Sequence, residues 1–106
     1  MIRVVVAHQL KDKKHTEEFI YIMKQLTGEA IKYPGYITGE TLVNTDDECN
    51  ILVIATWRSV KHYKDWYTPE IQQRVEGMYP SLLTEIPRIR IYNYFMEKRG
   101  RVWSTF

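Results

Sequence analysis

The chain has 106 residues, enough for one domain, with a formal net charge of +2, 26% charged residues and a single cysteine, Cys49. Such a balance does not suit nucleic-acid binding, which calls for a concentrated basic face, and one thiol excludes an intrachain disulfide or a Cys-rich zinc site. No run approaches the ~18 apolar residues of a membrane span.

The opening Met-Ile-Arg-Val-Val-Val is strand-like and too short for a secretory signal, so the cytoplasm is the expected compartment. Residues 2–9 predict a first strand with Ile2, Val4, Val6 and His8 on one face. Asp12 or Thr16 suits the cap of a helix, and Glu17 and Glu18 suit its positive end. Phe19, Ile22/Met23, Leu26 and Ala30 recur at helical spacing, which carries that helix to about Tyr33, where Pro34-Gly35 stops it. A second strand spans 36–44, a turn covers 44–48, and a third strand runs from about 49 to 57. Its stretch Ile51–Thr56 is apolar on both faces, as a central strand covered on both sides would be.

Ser59 stands at the N-cap position of a helix over about 59–67, with Tyr63 and Trp66 three apart on it. Thr68-Pro69-Glu70 restarts a helix with proline in its first turn, running to about Gly77. Arg88–Met96 alternates as a last strand, Ile89, Ile91, Asn93 and Phe95 on one face and Arg90, Tyr92, Tyr94 and Met96 on the other. A basic, aromatic tail, residues 97–106, follows the domain of residues 1–96.

The order βαββαβ builds a four-stranded antiparallel sheet with the helices on one face: an α+β, ferredoxin-like fold. The other face also carries bulky residues, among them Val5, Leu42 and Tyr92. An apolar sheet face of that size is not left wet, so a homodimer is expected, sheet against sheet.

The block Thr56-Trp57-Arg-Ser-Val-Lys-His-Tyr-Lys-Asp65-Trp66, with Pro34-Gly35-Tyr36 leading into strand two, resembles the antibiotic biosynthesis monooxygenase domain. The resemblance covers roughly residues 1–96 and implies a dimeric α+β barrel, each subunit holding a pocket between sheet and helices. Its haem-degrading branch is similar from Trp57 through Trp66. There the resemblance implies an Asn near the end of strand one, a Trp on the helix after strand three and a His ten residues further on. Trp66 matches. The other two positions hold Ala7 or His8, and Glu76. A carboxylate is a poor stand-in for an axial imidazole, so haem degradation is not carried over and no cofactor is expected.

The resemblance implies a cofactor-independent monooxygenase acting on a small, flat, electron-rich compound such as an anthrone or quinol. His8 is the expected general base, since imidazole titrates near neutrality. Trp66 is the expected wall, with Tyr63 beside it, and Asn93 or Tyr94 is the expected orienting donor. Each has a structural alternative: His8 and Trp66 as core residues, the last-strand side chains as dimer packing. His62, beside lysines, is expected to be exposed, and the three histidines show no metal-ligand spacing. Two other functions fit the chain: a dimeric module that binds haem or another aromatic ligand without turnover, and a structural or regulatory dimer with no pocket.

Overall fold

A computed structural model describes residues 1–95, so the tail of 97–106 and the end of the expected last strand lie outside the described residues. The elements are β1 (Ile2–Gln9), a short 3-10 turn (Lys13–His15), α1 (Thr16–Ala30), β2 (Tyr36–Asn44), β3 (Asp47–Trp57), α2 (Val60–Trp66), α3 (Pro69–Glu76) and β4 (Arg88–Asn93). The four strands form one antiparallel sheet in the order β2-β3-β1-β4. This is the ferredoxin-like α+β arrangement.

The boundaries follow local chemistry. Asp12 caps the 3-10 turn by accepting from the Lys14 amide, so α1 itself starts at Thr16 without a side-chain cap. It ends at Ala30, earlier than the apolar spacing suggests, because a turn through Tyr33 leads to Gly35, whose φ of 93° is open to glycine at little cost. The β2–β3 hairpin is tighter than expected. Asn44 Oδ1 accepts from the Asp46 amide and Asp47 Oδ1 from the Cys49 amide, so β3 begins at Asp47. Ser59 and Thr68 cap α2 and α3, accepting from the His62 and Ile71 amides. A residue before proline is driven out of the helical region. Thr68 is accordingly extended, and α2 and α3 form two separate helices.

The register gives each face its members. Ile2, Val4, Val6 and His8 lie opposite Trp57, Ala55, Val53 and Ile51 on β3, on the side that the helices cover. Two buried clusters form there. One holds Leu10, Phe19, Leu26, Ile51, Ile71 and Val75, extended by Met78, Leu82 and Leu83. The other holds Ile2, Val4, Ala30, Trp57 and Tyr63. Trp66 and Tyr67 pack against both. The opposite face carries Val5 and Ala7 on β1, Leu52 and Ile54 on β3 and Leu42 on β2, with Arg3, Glu40 and Arg90 toward the flanks. No helix among the described residues is long and apolar enough to cross a membrane.

Candidate functional site

Between the two clusters lies a cavity of about 240 Å³. Its floor is sheet: Val4, Val6 and His8 of β1, Val53, Ala55 and Trp57 of β3, and Ile89 of β4. Its roof is helix: Met23, Leu26, Thr27 and Ala30 of α1, Tyr63 and Trp66 of α2, Tyr67 and Val75 beyond. The lining residues that reach solvent are Thr27, Gly39, Glu40 and Thr41, so the mouth opens between α1 and the edge strand β2. The third alternative of the sequence, a filled domain with no pocket, therefore does not describe this chain.

An aromatic wall closes the end near α2. Trp57 and Trp66 stack with centroids 5.9 Å apart and planes 25° apart, and Tyr63 and Tyr67 stack at 5.3 Å and 14°. Tyr36 stands edge-on to Trp57 at 5.3 Å. The wall owes its form to sequence order. Trp66 ends α2, and the proline-driven break sets Tyr67 in a non-helical conformation, so consecutive residues both reach the cavity.

His8 lies at the other end, 1% exposed, with the Phe19 ring edge-on at 5.0 Å. Neither imidazole nitrogen meets a hydrogen-bond partner. Burial drives its pKa down to about 4, and a loose approach of the Ile51 backbone, short of good hydrogen-bond geometry, works in the opposite direction. His8 is therefore neutral at pH 7, with one nitrogen free to accept a proton. Two more lining residues carry buried polar atoms without partners, Trp66 through Nε1 and Tyr67 through its hydroxyl. Burial raises the pKa of Tyr63, Tyr67 and Tyr36, so all three stay protonated donors at neutral pH; a neighbouring Tyr67 adds to the shift of Tyr63, and Glu76 to that of Tyr67.

A chamber between sheet and helices, under the strand–helix junction Trp57–Trp66, is the arrangement that the sequence resemblance implies. The family model described as antibiotic biosynthesis monooxygenase matches residues 1–75. The chain belongs to the antibiotic biosynthesis monooxygenase family. Membership supports a monooxygenase-type function at family level and leaves the substrate unspecified. No curated protein matches the chain. Among solved structures, it is similar to SnoaB, a cofactor-independent oxygenase from Streptomyces nogalater, at 14% identity and a TM-score of 0.72, covering 96% of each chain; a mutant of SnoaB gives 0.75 at 13% identity, covering 91% of this chain and 94% of that one. A conserved protein from Methanosarcina mazei gives 0.73 at 20% identity, over 86% of this chain and 89% of that one. At such identities these likenesses speak for the fold alone.

Within this family fold, the expected site residues divide. His8, Trp66 and Tyr63 line this same cavity. Asn93 and Tyr94 do not: both are exposed, on and just beyond the edge strand β4, whose Ile89 alone reaches the lining. His62 is not the exposed residue expected from its lysine neighbours. Its Nδ1 lies 2.7 Å from Ser59 Oγ, and its ring fills the space where a Cβ on Gly35 would stand. Glu76 accepts from Gln72 Nε2 at 2.9 Å and is outside the lining. Among the described residues no three His, Cys, Asp or Glu gather as a metal site would need. Tyr67 and Tyr36 line the cavity without being among the expected site residues. Tyr67 follows a helix end, where periodicity says nothing. Tyr36 belongs to the Pro-Gly-Tyr stretch, whose aromatic was the available signal.

Proposed function

We propose that this chain is a cofactor-independent monooxygenase for a small, flat, electron-rich aromatic of the anthrone or quinol type. The observation that carries the reading is the cavity's chemistry: apolar walls, stacked aromatics, and unpartnered polar atoms on His8, Trp66 and Tyr67. A buried polar atom without a partner costs about 1–3 kcal/mol, and a ligand in the cavity is the natural source of partners. These atoms are closed off in the free protein, so binding needs small side-chain movements.

In the proposed reaction, neutral His8 takes the acidic proton of the substrate and leaves an electron-rich anion. The new imidazolium and anion stabilise each other in a dry site, which raises the basicity of His8 at the moment it is needed. Tyr67 and Trp66 donate to the developing oxyanion. The anion supplies electrons to dioxygen. For an anthrone, the ring CH2 becomes C=O with one oxygen atom, and the other leaves as water with both hydrogens. The carbon loses four electrons and dioxygen gains four. No external reductant is needed.

The cavity favours this over haem binding. Among the described residues no Lys or Arg lines it to pair with propionates, and about 240 Å³ falls below the ~300–1,000 Å³ of drug-sized sites. The test is oxygen uptake with a panel of anthrones and quinols. Uptake is expected, with kcat/KM flat from pH 8 to about 5 and falling only as His8 protonates near pH 4. An acid limb near 6.5 would mean a solvated base other than His8, and no uptake with any member would remove the reading.

The same reading includes a homodimer in the cytoplasm. The central open-face residues Val5, Ala7, Leu52 and Ile54 form an apolar strip with charges toward its edges, which suits sheet-to-sheet packing. Light scattering is expected to give twice the chain mass, and Leu52→Lys to give the monomer. A monomeric wild type would contradict it.

A further inference from the structure

β2 contains a glycine with no backbone reason to be one. Gly39 lies inside the strand with φ outside the positive range, and glycine in a strand interior weakens it. Its use is space. A Cβ built there would overlap the Tyr36 hydroxyl. The two residues share a face only because the pairing with β3 slips between Tyr36 and Thr38. Tyr36 then opposes Trp57 and Gly39 opposes Ala55, both on the cavity side. A bulge re-aims side chains in this way. The Tyr36 ring is held edge-on by buried Trp57, and its phenol lies over Gly39 at the solvent end of the cavity. Among the described residues the hydroxyl makes no hydrogen bond.

We infer that Tyr36, seated by Gly39 and the bulge, is a specificity-determining residue whose hydroxyl hydrogen-bonds a second oxygen substituent at the outer end of the ligand. The inference rests on the proposed reading of the cavity as an aromatic-ligand site. It adds a requirement: the site selects ligands with oxygen at both ends, one end toward His8, the other toward Tyr36 beside the aromatic wall. Burial keeps the phenol protonated and able to donate. Among the described residues no Lys or Arg lines the cavity to balance a carboxylate or phosphate, so the outer substituent is an uncharged hydroxyl or carbonyl.

The test is anaerobic titration calorimetry with two probes of one skeleton, 1-naphthol and 1,4-dihydroxynaphthalene. Wild type is expected to bind the diol about fivefold more tightly, the worth of one neutral hydrogen bond. Tyr36→Phe is expected to bind the two alike, with 1-naphthol affinity unchanged. Gly39→Ala is expected to lose the same discrimination and to melt earlier. Combined with Tyr36→Phe its melting point is expected to recover, because the added Cβ then meets only ring carbon at 3.6 Å and the Ile54 carbonyl oxygen at 3.4 Å. Discrimination retained in Tyr36→Phe, or both probes weakened alike, overturns the role of Tyr36 and leaves the cavity reading standing. A wild type that binds neither probe overturns the cavity reading and this inference with it.

Discussion

Replacing His8 with leucine is expected to lower kcat/KM for oxygen uptake by about 100- to 10,000-fold, the range for loss of a general base, without loss of stability at pH 7. The two halves of this result separate a catalytic histidine from a core filler. His8 is 1% exposed and neither nitrogen has a partner in good geometry, so in the empty protein it contributes apolar packing at the cost of poorly satisfied ring nitrogens. Leucine keeps the packing and removes the cost. The pH dependence of stability supplies a third readout. The folded pKa is about 4 and the unfolded value 6.5. Between those values the unfolded chain holds a proton that the folded chain does not, so stability is full above pH 6.5 and falls as pH drops toward 4. At roughly 1.36 kcal/mol per pH unit, the whole loss is about 3 kcal/mol. Urea unfolding of wild type across that window is expected to show it, and His8→Leu to lack it. Unchanged uptake in His8→Leu would assign the base elsewhere.

Trp57→Ala is expected to destabilise the protein by about 3–5 kcal/mol in urea unfolding, the range for emptying a buried aromatic site. That is a large share of the ~5–15 kcal/mol that holds a domain folded. Trp57 is 1% exposed and is the hub of the aromatic wall, with Tyr36 at 5.3 Å and Tyr63 and Trp66 each at 5.9 Å. Its removal takes packing from three other cavity residues at once. Trp66→Ala makes the informative contrast. Trp66 is only half-buried and its Nε1 is unpaired, so its loss is expected to cost less stability and to weaken aromatic ligands instead. Equal stability losses would show that the two indoles are one structural unit, with no division between support and wall.

Local rules made much of this molecule legible. The caps at Ser59 and Thr68, the proline break between α2 and α3, and the inward face of Ile2, Val4, Val6 and His8 each depend on neighbours within a few residues. Trp66 and Tyr63 were legible too, because their spacing put them on the buried side of a short helix. Asn93 and Tyr94 show the limit of the same reasoning. The register sets Asn93 opposite buried Ile2, on the helix-covered side, as alternation requires. Alternation assigns a face and does not say whether anything covers that face at that height. β4 is the outer strand of β2-β3-β1-β4, and Asn93 near its end is exposed.

From the sequence alone come the order of the elements, the face each strand turns inward, and the likeness in the Trp57–Trp66 block that points to the family. The tertiary structure alone decided that the two buried clusters stop short of each other and leave a chamber, that Tyr67 and Tyr36 join its walls, and that Asn93 does not. The reason is one of range. Hydrogen-bond geometry and apolar periodicity act between neighbours and are written into short stretches of chain, whereas a void is what remains when side chains distant in sequence have packed as closely as their shapes allow.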